Sequence, residues 1–325
     1  MCDLSQLAFG TRIAKCQIMD EYVSVPMTTA ITQDAKVLEN TRKAWLPRDR
    51  HLLWGALLIA ALLVAAYLRV LAKLVIDWWQ IPDWSQGFLV PPFAAYVLWR
   101  NRARLLRTEI VPTWSGVVLV AFGLLVLLLG IYGSDLFFSR VSLVIVLTGL
   151  VLCFGGGKLL TEMRFALLVL LLAIPIPAIL YTQITFPLQI LASKLASALL
   201  PLFGVPVLRE GNIIELPAMN LEVAEACSGI RSLMSLLTLS IFYGYFLERP
   251  IWRRVALALA SVPIAIAANA LRLLGTGLSV QYWDPEKAMG FFHDFSGWVM
   301  FLVSLVCLVA VDQAFGLFQL KRRQA

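Results

Sequence analysis

Charge is scarce in this chain: of 325 residues only 14% are Asp, Glu, Lys or Arg, while 60% are hydrophobic. A soluble domain carries about a quarter charged residues, so this scarcity excludes an ordinary water-soluble fold, and the mean hydropathy of +0.82 agrees. Histidine is scarcer still, with His51 and His293 alone. Cys2, Cys16, Cys153, Cys227 and Cys307 form no CxxC pair and no spacing suited to a metal, which argues against a zinc site and against a disulfide framework. No metal and no cofactor is expected. A secretory signal is missing too, since Met1–Asp20 has neither a basic start nor a short apolar run. No internal repeat is visible, so the duplicated halves typical of many transporters are not in view.

Long apolar runs are what the chain has. Residues 1–50 form a polar tail without a spanning run, predicted to be disordered and cytoplasmic. From His51 onward, apolar stretches near 52–75, 87–100, 114–133, 136–154, 165–181, 228–247, 255–280 and 295–318 each approach the ~20 residues needed to cross a bilayer core. The predicted fold is an all-α polytopic membrane protein with about eight transmembrane helices over residues 51–320. Its basic residues gather in alternate segments: Arg48 and Arg50; Arg100 to Arg107; Lys158 and Arg164; Arg249, Arg253 and Arg254; Lys321 to Arg323. The positive-inside rule places these segments and both termini in the cytoplasm of a bacterial inner membrane. The net charge of +7 is therefore read as topology, and no nucleic-acid partner is expected. Trp78, Trp79, Trp84, Tyr282 and Trp283 fall on the opposite side, at the level where aromatic rings meet lipid headgroups. Residues 181–226 make one long periplasmic loop. Within it, Ile184–Leu200 reads as an interfacial helix, and the stretch around Asn212-Ile213-Ile214-Glu215-Leu216 as short strands.

Polar side chains at the ends of membrane spans are functional candidates. Cys227 stands where the long loop enters the sixth span, so its thiolate would be favoured by a helix N-terminus and by Arg231 one turn on. The ordinary reading of a lone membrane cysteine is a small buried residue, which suits Cys153 and Cys307. Arg272 lies deep in the seventh span, with Asn269 one turn earlier. Its fixed fork of donors suits a carboxylate or an oxyanion, the plainer reading being an arginine that snorkels to the headgroups. His293 opens the last span beside Asp294 and has the near-neutral pKa of a general acid or base; alone, it reads as an interfacial residue. The charge-derived topology brings Cys227, Arg272 and His293 to one membrane face, and together they supply the parts for acyl transfer through a thioester.

Glu225-Ala226-Cys227-Ser228-Gly229-Ile230-Arg231, Asn269-Ala270-Leu271-Arg272 and His293 with Ser296-Gly297 resemble the three signature blocks of the exosortase/archaeosortase family. Asp83-Trp84-Ser85-Gln86-Gly87-Phe88 resembles a fourth, with Gln86 standing where the family usually has histidine. The resemblance implies a membrane cysteine peptidase or transpeptidase with Cys227 as nucleophile, Arg272 stabilising the acyl intermediate, and His293 as acid/base. Glu225, Ser228, Gly229, Arg231 and Asn269 would support them. The implied substrates are secreted proteins with a C-terminal sorting tail: a Pro-Glu-Pro-type motif, one membrane helix and a basic end. An envelope acceptor, a link to exopolysaccharide production and surrounding membrane lipid complete the implied partners. Two other readings compete, a transporter and a non-catalytic subunit of a polysaccharide-assembly complex. A transporter predicts polar groups near the midplane of several spans, as Asp312 and Arg272 permit, whereas most candidates here lie at the outer ends of the last three.

Overall fold

A computed structural model describes residues 50–133, 135–223, 229–283 and 291–324. The polar tail of residues 1–49 and the calls on Glu225, Cys227 and Ser228 lie outside the described residues. The chain divides into two units, residues 1–66 with 101–109, and residues 67–100 with 110–325. Within the first, α3 (Arg102–Arg107) is a short helix carrying three arginines. The second unit holds everything that follows here, beginning with the last part of α1 (Arg50–Gln80).

The molecule is an all-α membrane protein with one small sheet. Beyond α1 come a 3-10 segment, Pro82–Leu89, running into α2 (Val90–Arg100), then α4 (Ser115–Tyr132), α5 (Leu136–Leu170) and α6 (Ala178–Leu199). After the sheet follow α7 (Ile230–Phe246), α8 (Ile251–Tyr282) and α9 (Phe291–Gln324). Six helical stretches among the described residues are long and apolar enough to cross a membrane, and Ile230–Phe246 is a shorter apolar helix.

Three departures from the sequence reading have physical causes. The expected spans 136–154 and 165–181 are the two arms of α5, bent at Gly156, whose φ of 79° is left-handed and suits only glycine. Carbonyls near the bend keep partners: Thr113 Oγ1 donates to the Leu152 oxygen at 3.0 Å and the Val111 N–H to that of Gly155 at 3.3 Å, as backbone in an apolar setting requires. The second arm passes through a 3-10 turn, Leu171–Ala173, and stops before Pro175 and Pro177. The next helix therefore starts at Ala178 instead of Ile184, and by length and composition the stretch Ala178–Phe203 is itself able to cross. Finally, Trp78 and Trp84 are buried, whereas Trp79 is exposed. The Trp78 indole donates to the Ala173 carbonyl at 2.8 Å, so this ring serves the interior.

Helices α4 and α5 form a hairpin closed by small residues. Gly116 packs against Cys153, Gly123 against Val146 and Gly130 against Ser139, so one index rises by seven as the other falls by seven. Lipid gives apolar helices no reason of their own to associate, and close backbone approach through small residues supplies it. A methyl group on Gly123 would already sit 2.6 Å from Val146 Cγ2 and 3.1 Å from its backbone nitrogen. Gly123→Leu should therefore lower stability by about 1–3 kcal/mol, read as an earlier loss of the monodisperse peak when the detergent-solubilised protein is heated. An unchanged midpoint would show that the seam does not hold the hairpin. Cys153, on this seam, is half-buried and Cys307 exposed on α9, so neither is the enclosed small residue expected.

The expected strands are present as an antiparallel sheet of β1 (Leu208–Glu210), β2 (Ile213–Glu215) and β3 (Asn220–Glu222), in that order. Glu210 pairs with Ile213 across a two-residue turn at Gly211, where φ is 64°. Ile214 and Leu221 are partners in register and fully buried. They pack with Ala192, Ala196, Leu200 and Leu273, and Ser193 Oγ donates to the Gly211 carbonyl at 3.0 Å, so the sheet is fastened to α6 and α8.

The last three helices alternate in direction. Gly229 lies against Asn269 and Gly244 against Arg254; Gly297 lies against Arg272 and Gly316 against Arg253. The segment 82–100 runs beside α7 in the same direction, with Asp83 bonded to Arg231, Phe93 stacked on Phe242 at 3.7 Å and Arg100 paired with Glu248. It reaches as far along the bundle as α7 does, using a 3-10 stretch for its first half. At the end where α7 meets α8, Asp312 is fully buried. Arg249 Nη2 approaches it at 2.7 Å, Arg253 Nε at 2.6 Å, and Tyr243 Oη donates to it at 3.2 Å.

Candidate active site

The signature blocks meet because of these antiparallel registers. Gly229, inside the cysteine block, adopts φ 71° and caps α7. An added Cβ there would lie 2.9 Å from Asn269 Nδ2, so glycine is required both by conformation and by the neighbour. Asn269 is buried on α8. One turn further, the Arg272 guanidinium lies beside Gly297, where a Cβ would be 3.2 Å from its Cζ. Gly297 is four residues past His293, which stands in the first turn of α9; the His293 side chain is outside the described part. Arg272 is partly buried, and its guanidinium faces protein. The plainer reading of it as a snorkelling arginine is not what the geometry gives.

Between the 3-10 segment, α7, Arg272 and the start of α9 lies a cavity of about 660 Å³, within the ~300–1,000 Å³ usual for ligand sites. Arg231 and Ser232 line it near the start of α7, Ser235 and Thr238 follow at helical spacing, and Leu239 and Phe242 close its far end. Eleven residues separate Arg231 from Phe242, so the cavity follows α7 for about 16 Å at ~1.5 Å per residue. It is polar where the blocks meet and apolar at depth. Trp298 and Phe301 of α9 form the facing wall.

The fourth block enters through the 3-10 segment. Gly87 presses on the Trp78 ring, where a Cβ would come 2.5 Å from Cδ1, and this seats Gln86 in the cavity wall. Gln86 is 7% exposed and lines the cavity, and its Oε1 has no hydrogen-bond partner among the described residues. Asp83 receives Arg231 Nε at 3.0 Å on one oxygen and the Tyr181 hydroxyl at 2.6 Å on the other. Arg231, read from sequence as support for a thiolate, is thus held by a carboxylate 148 positions earlier.

Sequence reasoning quoted Asp83 only as the first residue of the fourth block, without a role, and missed Tyr181, Ser235 and Thr238. The last two had a signal, polar residues recurring with Ser232 on one helical face of an apolar span. The Asp83–Arg231 pairing had none, because nothing local links a 3-10 segment to a helix so distant in the chain. Among the described residues no cluster of His, Cys, Asp and Glu could hold a metal ion.

A multi-pass membrane protein whose four sequence blocks converge on one arginine-lined cavity is the class that fold and site define. The family model for the transmembrane exosortase matches residues 78–310, from the buried Trp78 to the last helix, and the chain belongs to that family. No curated protein and no solved structure matches the chain.

Proposed function

We propose that this exosortase is a membrane cysteine peptidase or transpeptidase acting on the C-terminal sorting tails, of Pro-Glu-Pro type, of secreted proteins. The observation that carries the reading is the position of Arg272, which lines the cavity together with Arg231 of the cysteine block and lies against Gly297 of the histidine block. The Cys227 thiolate attacks the carbonyl carbon of the scissile peptide bond. The oxygen takes up the electron pair and is stabilised by the guanidinium fork of Arg272. Collapse breaks the C–N bond, His293 gives a proton to the departing amine, and an acyl thioester with Cys227 remains. An acceptor amine, hydroxyl or water then attacks the thioester, loses its proton to His293, and frees the thiolate. Glu225 and Ser228 flank the nucleophile, and Asn269 holds the turn at Gly229.

The charge bias supports a bacterial inner-membrane location with both termini in the cytoplasm and this site on the periplasmic face. In that setting the tail's membrane helix would lie in lipid beside the cavity, and its basic end would stay inside. The proposed acceptor is an envelope component made alongside exopolysaccharide.

The test is Arg272→Lys, which keeps the charge and removes the planar fork. With a co-expressed secreted reporter carrying a sorting tail, cleavage should fall by on the order of 10²–10³-fold, the usual effect of losing one oxyanion donor, at equal membrane abundance. Cleavage within about twofold of the unaltered protein would remove Arg272 from the chemistry.

A further inference from the structure

Resting on the reading of the cavity as a peptide site, we propose that Arg231 is a specificity-determining residue that takes the carboxylate of an acidic side chain in the bound polypeptide, with Asp83 and Tyr181 as the residues that position it. Arg231 Nε is the nitrogen that Asp83 holds, at 3.0 Å, and Tyr181 fixes the other oxygen of that carboxylate at 2.6 Å. An arginine anchored through Nε keeps both terminal amino groups for a ligand, and their planar fork matches a carboxylate. The side chain is about half exposed and lines the cavity, whereas the Asp83 side chain is 15% exposed. The described lining holds two arginines and no acidic residue, so an anion is the complementary ligand.

A second, independent observation in the same wall fits a peptide. Gln86 Oε1 is buried in the same wall without a donor among the described residues. A buried amide oxygen is stabilised by an incoming N–H, which an extended peptide backbone presents at every residue but proline. One extended acidic segment satisfies both groups, its side chain on Arg231 and a main-chain N–H on Gln86. This role differs from support of the Cys227 thiolate, which would act on every substrate alike.

The test compares a sorting-tail reporter carrying glutamate near the cleaved bond with its Glu→Gln twin. The unaltered protein should prefer the acidic tail by about tenfold or more, as sites built around a charged hydrogen bond do. In Arg231→Gln the preference should collapse to within about twofold. Asp83→Asn, which keeps the arginine but loosens its anchor, should lie between. Equal loss on both tails with the preference intact would mean that Arg231 acts through the nucleophile or the fold, and would overturn the proposal. Loss that instead tracks the anionic-lipid content of reconstituted vesicles would put a headgroup on Arg231 and overturn it equally. Should Arg231→Gln be inactive, the same ratio is read from photo-crosslinking of the two tails to a probe at Leu89 in Cys227→Ala protein. Capture there, independent of the acidic residue, refutes the specificity role while leaving the peptide site standing. No capture of either tail refutes the site itself, and the proposal with it.

Discussion

Cys227→Ala should leave a sorting-tail reporter uncleaved, a fall of roughly 10⁴-fold or more to background, with the protein still in the membrane. Alanine fits wherever cysteine fits and removes the sulfur alone, so loss of cleavage at normal abundance isolates the chemistry. Cys227→Ser is the sharper comparison. A hydroxyl has no low-pKa anion for a helix start and a neighbouring guanidinium to stabilise, so serine should be severely impaired despite differing by one atom. An impermeant maleimide added to cells with a permeabilised outer membrane should modify Cys227 and spare Cys2 and Cys16 if the proposed orientation holds. Full cleavage by Cys227→Ala would end the peptidase reading and return the choice to a transporter or an assembly subunit.

Asp312→Ala should be the most destabilising single change in the last three helices, by about 3–5 kcal/mol. Asp312 is wholly buried between Arg249 and Arg253, and the Arg253 side chain is itself only 5% exposed. Arg253 also donates to the Asp312 main-chain oxygen. Removing the carboxylate leaves two guanidiniums facing each other in an apolar bundle. The loss should show as a large drop in thermal midpoint in detergent and as reduced membrane abundance. Asp312→Leu combined with Arg253→Met should recover much of it, because well-packed apolar residues often replace a buried ion pair at little loss. A single variant as stable as the parent would mean that water reaches these charges. This cluster also gives Asp312 a structural occupation, so it no longer stands as a membrane acid awaiting a transport role.

Much of this was legible in the chain because hydropathy and arginine bias are read locally. The apolar runs marked the helices, and the alternation of basic segments placed Arg100, Arg249 and Arg253 together, as they are found around Glu248 and Asp312. The blocks were legible as short motifs, and their meeting followed from helices of alternating direction. What hydropathy does not encode is the backbone between runs. The bend at Gly156 and the 3-10 start at Pro82 leave apolar content unchanged while altering where each helix begins. Trp78 was misplaced for a related reason: a tryptophan near a span end looks interfacial, and only a carbonyl 95 positions away makes it interior. The cavity was illegible altogether, being a gap shared by four segments.

The order in which these contacts become possible follows from their separation along the chain. The glycine seam joins residues 116–130 to 139–153, neighbours that can close while the remainder is still being synthesised. The cavity needs residues 82–89, 231–242, 272 and 297–301, so its last wall arrives only with α9. A ribosome that stalls before residue 297 therefore releases a chain with a finished hairpin and an open, three-sided site. The cavity is in this sense assembled late: a chain emerging before α9 lacks the wall that Gly297, Trp298 and Phe301 supply.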